Sequence, residues 1–573
     1  MNKKIKNLIC FTLAICLVIS IFSACKNTED ANNIASSVET ENKGDSAITE
    51  NNTATGDNAG ETQLLSLKLL SGETSDGQNL VVDNTKVQTA NFGGINMVYS
   101  LFNYMPDKFG RVYNDEQIEL EHKVLKDMRI KMVRSYYGST LAWDPVTQKH
   151  DYQSEYMQAF YRNCEELAEM GIDIGITMQW SLEGFIREAK ATKQTVSIYE
   201  NGYVVPGDLE ATANNFATFT KESVLAFAQQ GITNIKYIFA FTECNNMYQD
   251  SSIGGTSDQK RQYEKVYPVF DAGIKALDEG LKDAGLRDAY KIVGPCDAGN
   301  PSDDERDYSR LVKYVADNLS DKVDIIGSHH GGYATAQTYD KNEFYNAGNN
   351  LQTVLNQAKA MNKEYWIDEF NVNLSNNKYG PDDARNNKLS KPMKGVALGA
   401  AINSVMNTNG VANMFLWSLF DQQWPDSVAA GASSEFDNGI HITGYIPSYL
   451  ETTIPRKPWY ALSLLTRYVQ SGATYECTIG DSVYISAIKR EDNEWTVVVT
   501  NYNTENTPVN INFASSMGGK TFYRYLYDDA TIEPVQGAEM IDASAVANNV
   551  TIGFADTLPA TSVAVYTTEQ LAS

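Results

Sequence analysis

The chain has 573 residues, of which 11% are aromatic, and a formal net charge of −25 at pH 7. This length exceeds what one ordinary hydrophobic core supports, so we expect about two to four domains. The seven tryptophans argue against a disordered chain. The acidic balance, without any cluster of Lys and Arg, argues against a nucleic-acid partner, because phosphate binding needs such clusters.

The first residues have the pattern of an export signal. Lysines at positions 3, 4 and 6 are followed by an apolar run from Leu8 to Phe22, and the segment ends in Phe22-Ser23-Ala24-Cys25. That ending resembles a bacterial lipobox, whose cysteine is lipidated and becomes the mature N-terminus. We predict a lipoprotein signal peptide in residues 1–25, with lipidated Cys25 anchoring the exported protein to the surface of a bacterial membrane. The alternative is a plain secretory signal or an uncleaved anchor helix.

Two further features of the sequence are a polar segment after the signal and the spacing of the cysteines. Residues 26–63 are rich in Asn, Thr, Ser and acidic residues without apolar periodicity, which predicts a disordered acidic linker. The cysteines beyond the signal are scattered without metal spacing or a dense disulfide framework. Cys244 and Cys296 follow neighbouring predicted strands, so we consider either a disulfide between them or single buried thiols.

From Asn91 to Gln470, short apolar runs alternate with longer amphipathic helical patterns. Eight runs are predicted strands: Phe92–Val98, Lys131–Ser135, Ile172–Met178, Asn234–Phe241, Lys291–Gly294, Val323–Ser328, Glu364–Asp368 and Val411–Trp417. Strands joined by helices pair in parallel, and eight such units predict a closed (β/α)8 TIM barrel in residues 91–470. An open doubly wound sheet is the alternative, but the stretch after Phe92 lacks a glycine-rich phosphate loop.

After Gln470 the apolar pattern changes to a period of two. Strand-like runs, including Val550–Gly553, are separated by Gly, Asn, Asp and Pro turns. Residues 471–573 are therefore predicted to form an antiparallel β-sandwich. Residues 64–90 carry two strand-like pieces, Leu65–Leu70 and Asn79–Val82, which we expect to join that sandwich.

Polar and aromatic side chains concentrate where the predicted barrel strands end, which is where function resides in this architecture. Strands four and seven, far apart in sequence, each end in a glutamate, Glu243 and Glu369. The other side chains that we predict to bind substrate at this end are Arg134, Trp180, Thr242, Asn245, His329, His330, Tyr333, Trp417, Asp421 and Trp424. Flat aromatic faces with carboxylates and amides between them suit a carbohydrate, so we expect an oligo- or polysaccharide substrate.

These motifs resemble those of one family. The two strand-end glutamates, the His-His-Gly-Gly-Tyr turn at 329–333, the Phe-Leu-Trp-Ser segment at 415–418 and the Leu-Pro-Ala-Thr-Ser-Val-Ala-Val-Tyr tail at 558–566 are similar to those of retaining glycoside hydrolases of the large (β/α)8 clan, clan A. Within that clan, the sequence is most similar to the β-xylosidase, α-iduronidase and arabinofuranosidase branches. The resemblance spans about residues 80–570. It implies an enzyme that cleaves β-linked glycans by double displacement, with Glu243 as acid/base, Glu369 as nucleophile and no cofactor.

One position departs from the family pattern. The clan usually has an asparagine directly before the acid/base, where it hydrogen-bonds the 2-hydroxyl of the sugar, whereas this chain has Thr242. A threonine hydroxyl is shorter and makes fewer well-directed hydrogen bonds. The difference indicates either that the 2-position is recognised differently or that activity is reduced.

Glycosidic cleavage explains why two glutamates are needed. One carboxyl protonates the leaving oxygen while positive charge builds at the anomeric carbon; retaining enzymes place the two carboxyls about 5–5.5 Å apart and inverting ones about 6.5–9.5 Å apart. Glu243 must hold its proton near neutral pH. Glu369 must be ionised, for which Arg134, one of the two histidines and Tyr333 are candidate donors.

Each assignment has an alternative. Glu243 could instead cap the following helix. Asp368 competes with Glu369, but neighbouring strand residues face opposite ways, so at most one is expected to point into the site. His329 and His330 could bind a metal, yet adjacent histidines diverge and no third ligand has suitable spacing, so we predict no metal. A non-catalytic glycan-binding surface lipoprotein on the same fold is the alternative function, and the sequence leaves the oligomeric state open.

Overall fold

A closed barrel of eight parallel strands forms the centre of the structure. In chain order the strands are β1 Ile95–Val98, β2 Met132–Tyr136, β3 Asp173–Thr177, β4 Ile235–Phe239, β5 Lys291–Gly299, β6 Ile325–His330, β7 Tyr365–Phe370 and β8 Val411–Leu416. Strand β8 pairs with β1 and closes the ring. The strands are apolar runs because both of their faces are covered, and all six residues of β7 are buried.

The computed structural model describes residues 64–71, 76–101, 103–105, 113–138, 141–144, 146–147, 149–178, 205, 207–247, 262–299, 309–330, 351–372, 393–420, 422–423, 436–437, 440–441, 445–446, 454–478 and 480–571. Among these, only the backbone is described at 246–247, 298–299, 330, 422–423, 436–437 and 440–441. The predicted signal peptide, Cys25 and the predicted linker lie outside the described residues. No helix in the described part of the chain is both long enough and apolar enough to cross a bilayer.

Helices connect the strands and cover the outside of the barrel. They are Asp115–Asp127, Glu155–Glu169, Leu209–Gln229, Cys244–Met247, Tyr263–Asp283, Ser309–Asn318, Gln352–Ala360, Met393–Met406 and Pro458–Tyr468, with a 3-10 turn at Arg287–Ala289. Their starts follow local sequence signals: the Asn114 side chain accepts from the Gln117 amide while the Gln117 side chain binds the Asn114 amide, a capping box. At the next two long helices, the side chains of Ser154 and Asp208 accept from the amides of Met157 and Ala211.

The second domain is a mostly antiparallel, eleven-stranded sheet. Its spatial order is Leu65–Ser66, Ala543–Val550, Lys520–Asp528, Ser562–Thr567, Trp495–Asn501, Val483–Arg490, Gly472–Cys477, Gln78–Phe92, Thr507–Phe513, Gly553–Leu558 and Lys68–Leu69. Strands distant in this order share one apolar core, since the ring of Phe522 lies 5.5 Å from that of Phe513 and 5.6 Å from that of Phe554. The predicted fold class, a TIM barrel with a C-terminal antiparallel β-sandwich, is confirmed.

Five short strands that the sequence did not predict lie in the loops, in two small sheets. Trp143–Asp144 pairs with Lys149–His150 after β2, and Gln422–Gln423, Phe436–Asp437 and Ile440–His441 form a small sheet after β8.

Some strand bounds predicted from the sequence are wrong. Val550–Gly553 is the turn between two strands, Ala543–Val550 and Gly553–Leu558; alanine-rich strands carry too little apolar signal to be recognised. Strand β5 is longer than the predicted Lys291–Gly294, although a Gly-Pro pair usually marks a turn. It continues to Gly299 through a bulge between Pro295 and Asp297.

One helix joins the barrel to the sheet. Every residue of Met393–Met406 from Lys394 onward is buried, which explains why this helix is apolar all round. Its glycines allow the close approach: a Cβ on Gly399 would lie 2.7 Å from Thr500 Oγ1 and 2.8 Å from Val563 Cγ2. Asn403 adds polar contacts by donating to Ser486 Oγ at 2.8 Å and accepting from the Thr500 hydroxyl at 2.7 Å.

Candidate active site

The first glutamate stands four residues beyond the end of β4. Glu243 has a left-handed backbone, with φ of +52°, and so does Cys296 in β5, with φ of +58°; this region costs about 1–2 kcal/mol for a residue with a Cβ. The Glu243 amide donates to the Cys296 carbonyl at 2.8 Å. This turn leaves the Glu243 side chain 39% exposed at the rim of the barrel.

The second glutamate is delivered by a bulge in β7. Pairing with β6 runs from Ser328 opposite Ile367 to His329 opposite Glu369, so Asp368 is an extra residue. A bulge breaks the alternation of side chains. The premise that neighbouring residues of β7 face opposite ways is therefore wrong here, since carboxylates of both Asp368 and Glu369 approach the ring of His329.

The two acids nevertheless differ in solvent access. Asp368 is completely buried, whereas the Glu369 side chain is 7% exposed. A carboxylate that attacks an external ligand must reach the surface of the pocket. Glu369 meets this requirement and Asp368 does not.

His329 lies between the two glutamates. Its Nδ1 is 3.3 Å from Glu243 Oε1 and 3.5 Å from Glu369 Oε2. Its other nitrogen, Nε2, is 2.9 Å from Thr242 Oγ1 and 3.8 Å from Asp368 Oδ2. One buried imidazole thus connects the ends of β4, β6 and β7.

Arg134 of β2 supplies a second cation beside Glu369. Its Nη1 donates to Glu369 Oε2 at 3.1 Å and to the Asp368 carbonyl at 2.9 Å. Its Nη2 donates to Thr242 Oγ1 at 2.7 Å. The guanidinium therefore holds both Glu369, the candidate nucleophile, and Thr242, the residue before the candidate acid/base.

The electrostatics favour two cations beside the carboxylates. Burial by itself lowers the pKa of His329, but Glu369, Asp368 and the hydrogen bond to Glu243 raise that pKa to about 9. Burial likewise opposes the charge of Arg134, and Tyr136, Asp368 and Glu369 raise its pKa above the ordinary value. Both side chains are charged at neutral pH, so Glu369 faces two positive groups.

Three groups in this site could in principle hold a metal ion. Ligand atoms of Glu243, His329 and Glu369 all lie within 4.8 Å of one another. The chemistry fits poorly, because Arg134 already binds Glu369 Oε2 and the His329 ring holds a proton at neutral pH. A metal would have to displace that proton and sit beside a permanent cation. The arrangement fits a pair of carboxyl groups held by two cations better than it fits a metal site.

The structure places the remaining predicted site residues as follows. Arg134 and His329 are 0% and 1% exposed, so the predicted direct sugar contacts are corrected: these side chains hold the carboxylates from behind. Asn245 is fully buried in the short helix Cys244–Met247 and is not exposed to a ligand either. Trp417 is 8% exposed, and its ring packs edge-on against Tyr136 at 6.1 Å. The other predicted positions are outside the described residues: Trp180, Tyr333, Asp421, Trp424, Cys25 and the side chain of His330.

Four further residues of the barrel interior shape the site, of which the sequence singled out only Asp368, as a competitor of Glu369, and Cys296, as a possible disulfide partner. Tyr136, Cys296, Asp297 and Asp368 are all buried beside the residues above, and burial together with Asp368 raises the pKa of the Cys296 thiol. The place of Cys296 and Asp297 in the site was obscured because β5 was predicted to end before them, and no residue type marks the bulge that brings Asp368 in. Cys244 and Cys296 are free thiols, not a disulfide.

Solved structures share this architecture at low sequence identity. A conserved exported protein from Bacteroides fragilis aligns with a TM-score of 0.57 at 16% identity, covering 85% of this chain and 99% of that chain. The glycoside hydrolase family 30 subfamily 8 xylanase of Clostridium acetobutylicum aligns with a TM-score of 0.53 at 14% identity, covering 85% and 99%. A glucosidase from Croceicoccus marinus gives 0.52 at 14%, covering 86% and 99%.

These identities establish the shared fold alone, which is the fold implied by the family resemblance. No protein-family model matches the chain. A search of curated proteins likewise gives no match.

Proposed function

We propose that this protein is a retaining glycoside hydrolase acting on β-linked glycans, with Glu243 as acid/base and Glu369 as nucleophile. One observation carries the proposal: carboxylates delivered by β4 and β7 converge on His329, with an oxygen of each within 4.8 Å of the other. Carboxylate oxygens this close fit the roughly 5–5.5 Å spacing of retaining enzymes better than the roughly 6.5–9.5 Å that leaves room for a water.

In the first step, Glu369 attacks the anomeric carbon while Glu243 gives its proton to the glycosidic oxygen. Arg134 and charged His329 keep Glu369 ionised for this attack. Because His329 Nδ1 contacts Glu243 Oε1, the proton that Glu243 donates is placed on Oε2. The products are a covalent glycosyl-enzyme at Glu369 and a leaving group with the proton of Glu243.

In the second step, Glu243 acts as base. Its exposed carboxylate takes a proton from a water molecule, and the resulting nucleophile attacks the anomeric carbon and releases Glu369. Two displacements at one carbon restore the original configuration. The sugar leaves with its anomeric configuration retained, and both glutamates regain their starting protonation states.

For the substrate we propose a β-linked plant or microbial polysaccharide or its oligosaccharides. Fold neighbours described as xylanases and as a glucosidase make β-xylans and β-glucans the first substrates to test. The fold alone does not select among them.

The test is turnover of nitrophenyl β-glycosides and a panel of polysaccharides by the wild type, Glu243→Gln and Glu369→Gln. We expect both variants to lose at least about 1000-fold in kcat. Asp173→Asn, at the amino end of β3, is the matched control and should keep wild-type activity. Binding without turnover by the wild type would support the non-catalytic glycan-binding alternative instead.

We also propose that the protein is exported and lipid-anchored through Cys25. The basic start, apolar run and lipobox-like ending support this. Expression in a bacterium with and without Cys25→Ala tests it. Wild-type protein should fractionate with membranes and carry a diacylglyceryl mass at the mature N-terminus, and the variant should not; wild-type protein free in the medium would contradict the anchor.

A further inference from the structure

We propose that Thr242 is a positioning residue that locks Arg134 and His329 against the nucleophile, and that it does not bind the 2-hydroxyl of the bound sugar. This inference rests on the proposed function. It gives the residue directly before the acid/base a structural role, and it predicts that substitution of Thr242 affects glycosides with and without a free 2-hydroxyl equally.

The contacts of the Thr242 hydroxyl are the basis. Arg134 Nη2 donates to Oγ1 at 2.7 Å, and His329 Nε2 lies 2.9 Å from the same oxygen. The Thr242 side chain also hydrogen-bonds the Tyr136 phenol and so lowers the pKa of Tyr136, although burial keeps that pKa above its ordinary value. Three protein groups from β2 and β6 therefore surround one hydroxyl.

A hydroxyl offers two acceptor lone pairs and one donor hydrogen. Arg134 always donates, and charged His329 donates from Nε2, so these two neighbours occupy both lone pairs. The single hydrogen is then left for the Tyr136 oxygen, the third group that contacts this hydroxyl. A sugar hydroxyl approaching Thr242 finds no lone pair or hydrogen that is not already used.

The 2-hydroxyl of a glycosyl group lies one bond from the anomeric carbon and thus beside the nucleophile. Hydrogen bonds to this hydroxyl commonly strengthen in the transition state of glycoside cleavage. Thr242 supplies no such bond, since its hydroxyl already hydrogen-bonds Arg134 and His329. Its contribution to the rate comes through those two cations, which hold Glu369.

Arg134 and His329 cannot replace Thr242 as partners of the 2-hydroxyl without breaking contacts of their own. Arg134 Nη1 is shared between Glu369 and the Asp368 carbonyl. His329 Nδ1 faces both glutamates. These nitrogens of Arg134 and His329 thus bind the carboxyl groups of the site and not the hydroxyls of a sugar ring.

The first experiment compares two substrates and three proteins. The substrates are the nitrophenyl β-glucoside or β-xyloside that the wild type turns over and its 2-deoxy counterpart, with wild type, Thr242→Val and Thr242→Ser. We expect Thr242→Val to lower kcat/KM at least about tenfold on both substrates by the same factor, to within about twofold. Thr242→Ser should recover most of the activity, because it keeps the hydroxyl. If Thr242→Val harms the parent glycoside much more than its 2-deoxy counterpart, a direct contact exists and the proposal is wrong.

The second experiment needs no turnover. The ring of His329 is titrated by NMR in wild type and Thr242→Val, with the exposed Thr218→Val as control for a valine substitution. Loss of the oxygen that accepts from Nε2 should move the His329 midpoint down by about one pH unit, and Thr218→Val should leave it unchanged. An unchanged midpoint in Thr242→Val would overturn the positioning role. Failure of the proposed function looks different: no turnover of any β-glycoside by wild type, with the His329 shift still present.

Discussion

At the scale of single residues, the site contains two buried carboxylates that are opposed by two buried cations. Asp368 and Glu369 are adjacent carboxylates with little or no solvent access, and Arg134 and His329 are the cations beside them. Buried ion pairs of this kind add little net stability, but removing one partner is costly because a charge is left uncompensated. The cations are therefore better understood as holding the nucleophile than as stabilising the fold.

Replacing Arg134 with lysine tests the forked geometry. Lysine keeps the charge but cannot donate at once to Glu369, the Asp368 carbonyl and Thr242, as the guanidinium does. We expect kcat/KM for a nitrophenyl glycoside to fall at least about 100-fold, while circular dichroism shows a folded protein. Arg134→Met should in addition lower the free energy of unfolding by about 3–5 kcal/mol. A lysine variant within threefold of wild type would contradict the geometric role.

His329 gives a pH dependence whose sign follows from its raised pKa. Its folded value is about 9 against an ordinary 6.5, so its stabilising contribution is complete below pH 6.5 and is lost as pH rises through 9. Urea unfolding should show stability falling across this window by up to about 3 kcal/mol. His329→Gln should be less stable at pH 6 and should lack this part of the pH dependence. A wild type equally stable at pH 6.5 and 9.5 would show that His329 is not a buried cation.

At the scale of elements, Gly327 of β6 leaves the space in which the bulged strand β7 places the Asp368 side chain. A Cβ added to Gly327 would lie 2.9 Å from Val293 Cγ1 and 3.4 Å from Asp368 Cγ. We expect Gly327→Ala to cost about 1–3 kcal/mol of unfolding free energy and to lower kcat, because Asp368 and His329 must shift.

The matched control for Gly327→Ala is Gly294→Ala in β5. Its added Cβ would meet only Ile274 Cδ1, at an ordinary 3.7 Å. Thermal unfolding and kcat of the two variants, measured together, separate strand crowding from the general effect of losing a glycine. Equal effects in both variants would contradict the crowding argument.

The barrel could be predicted from the sequence because each strand is an apolar run buried on both faces, followed by a capped amphipathic helix. The pairing of Glu243 with Glu369 followed from the rule that parallel strands end on one side. The bulge at Asp368 could not be predicted, because pairing between strands creates it and no residue type marks it. The burial of Arg134 and His329 was missed for a related reason: whether a charged side chain faces the sugar or the carboxylate depends on distances of a few ångströms.

At the scale of the whole molecule, the barrel and the sheet pack against each other through a shared helix and a shared ion-pair cluster. The helix Met393–Met406 is buried by both, and Arg129 of the barrel and Arg490 of the sheet both bind Glu569. A barrel without the sheet would expose a long apolar helix. We therefore expect one cooperative unfolding transition for the two domains.

Crowding that helix tests the coupling. Gly399→Val would push into Thr500 and Val563 of the sheet and should lower the unfolding free energy by about 2–4 kcal/mol, or split the transition in two. The control Ala360→Val lies at the exposed end of the helix Gln352–Ala360 and should change stability by less than about 1 kcal/mol. Calorimetry of both variants provides the comparison, and an unperturbed Gly399→Val would show that the sheet is not held through this helix.

The most direct test of the central claim is to trap the covalent intermediate. Wild-type protein is incubated with dinitrophenyl 2-deoxy-2-fluoro-β-glucoside and the matching xyloside, digested, and mapped by mass spectrometry. We predict a fluoroglycosyl mass on the peptide that contains Glu369, formed with release of one dinitrophenolate per protein and absent in Glu369→Gln. A label on another carboxylate, or a label on Glu369→Gln equal to that on wild type, would contradict the account.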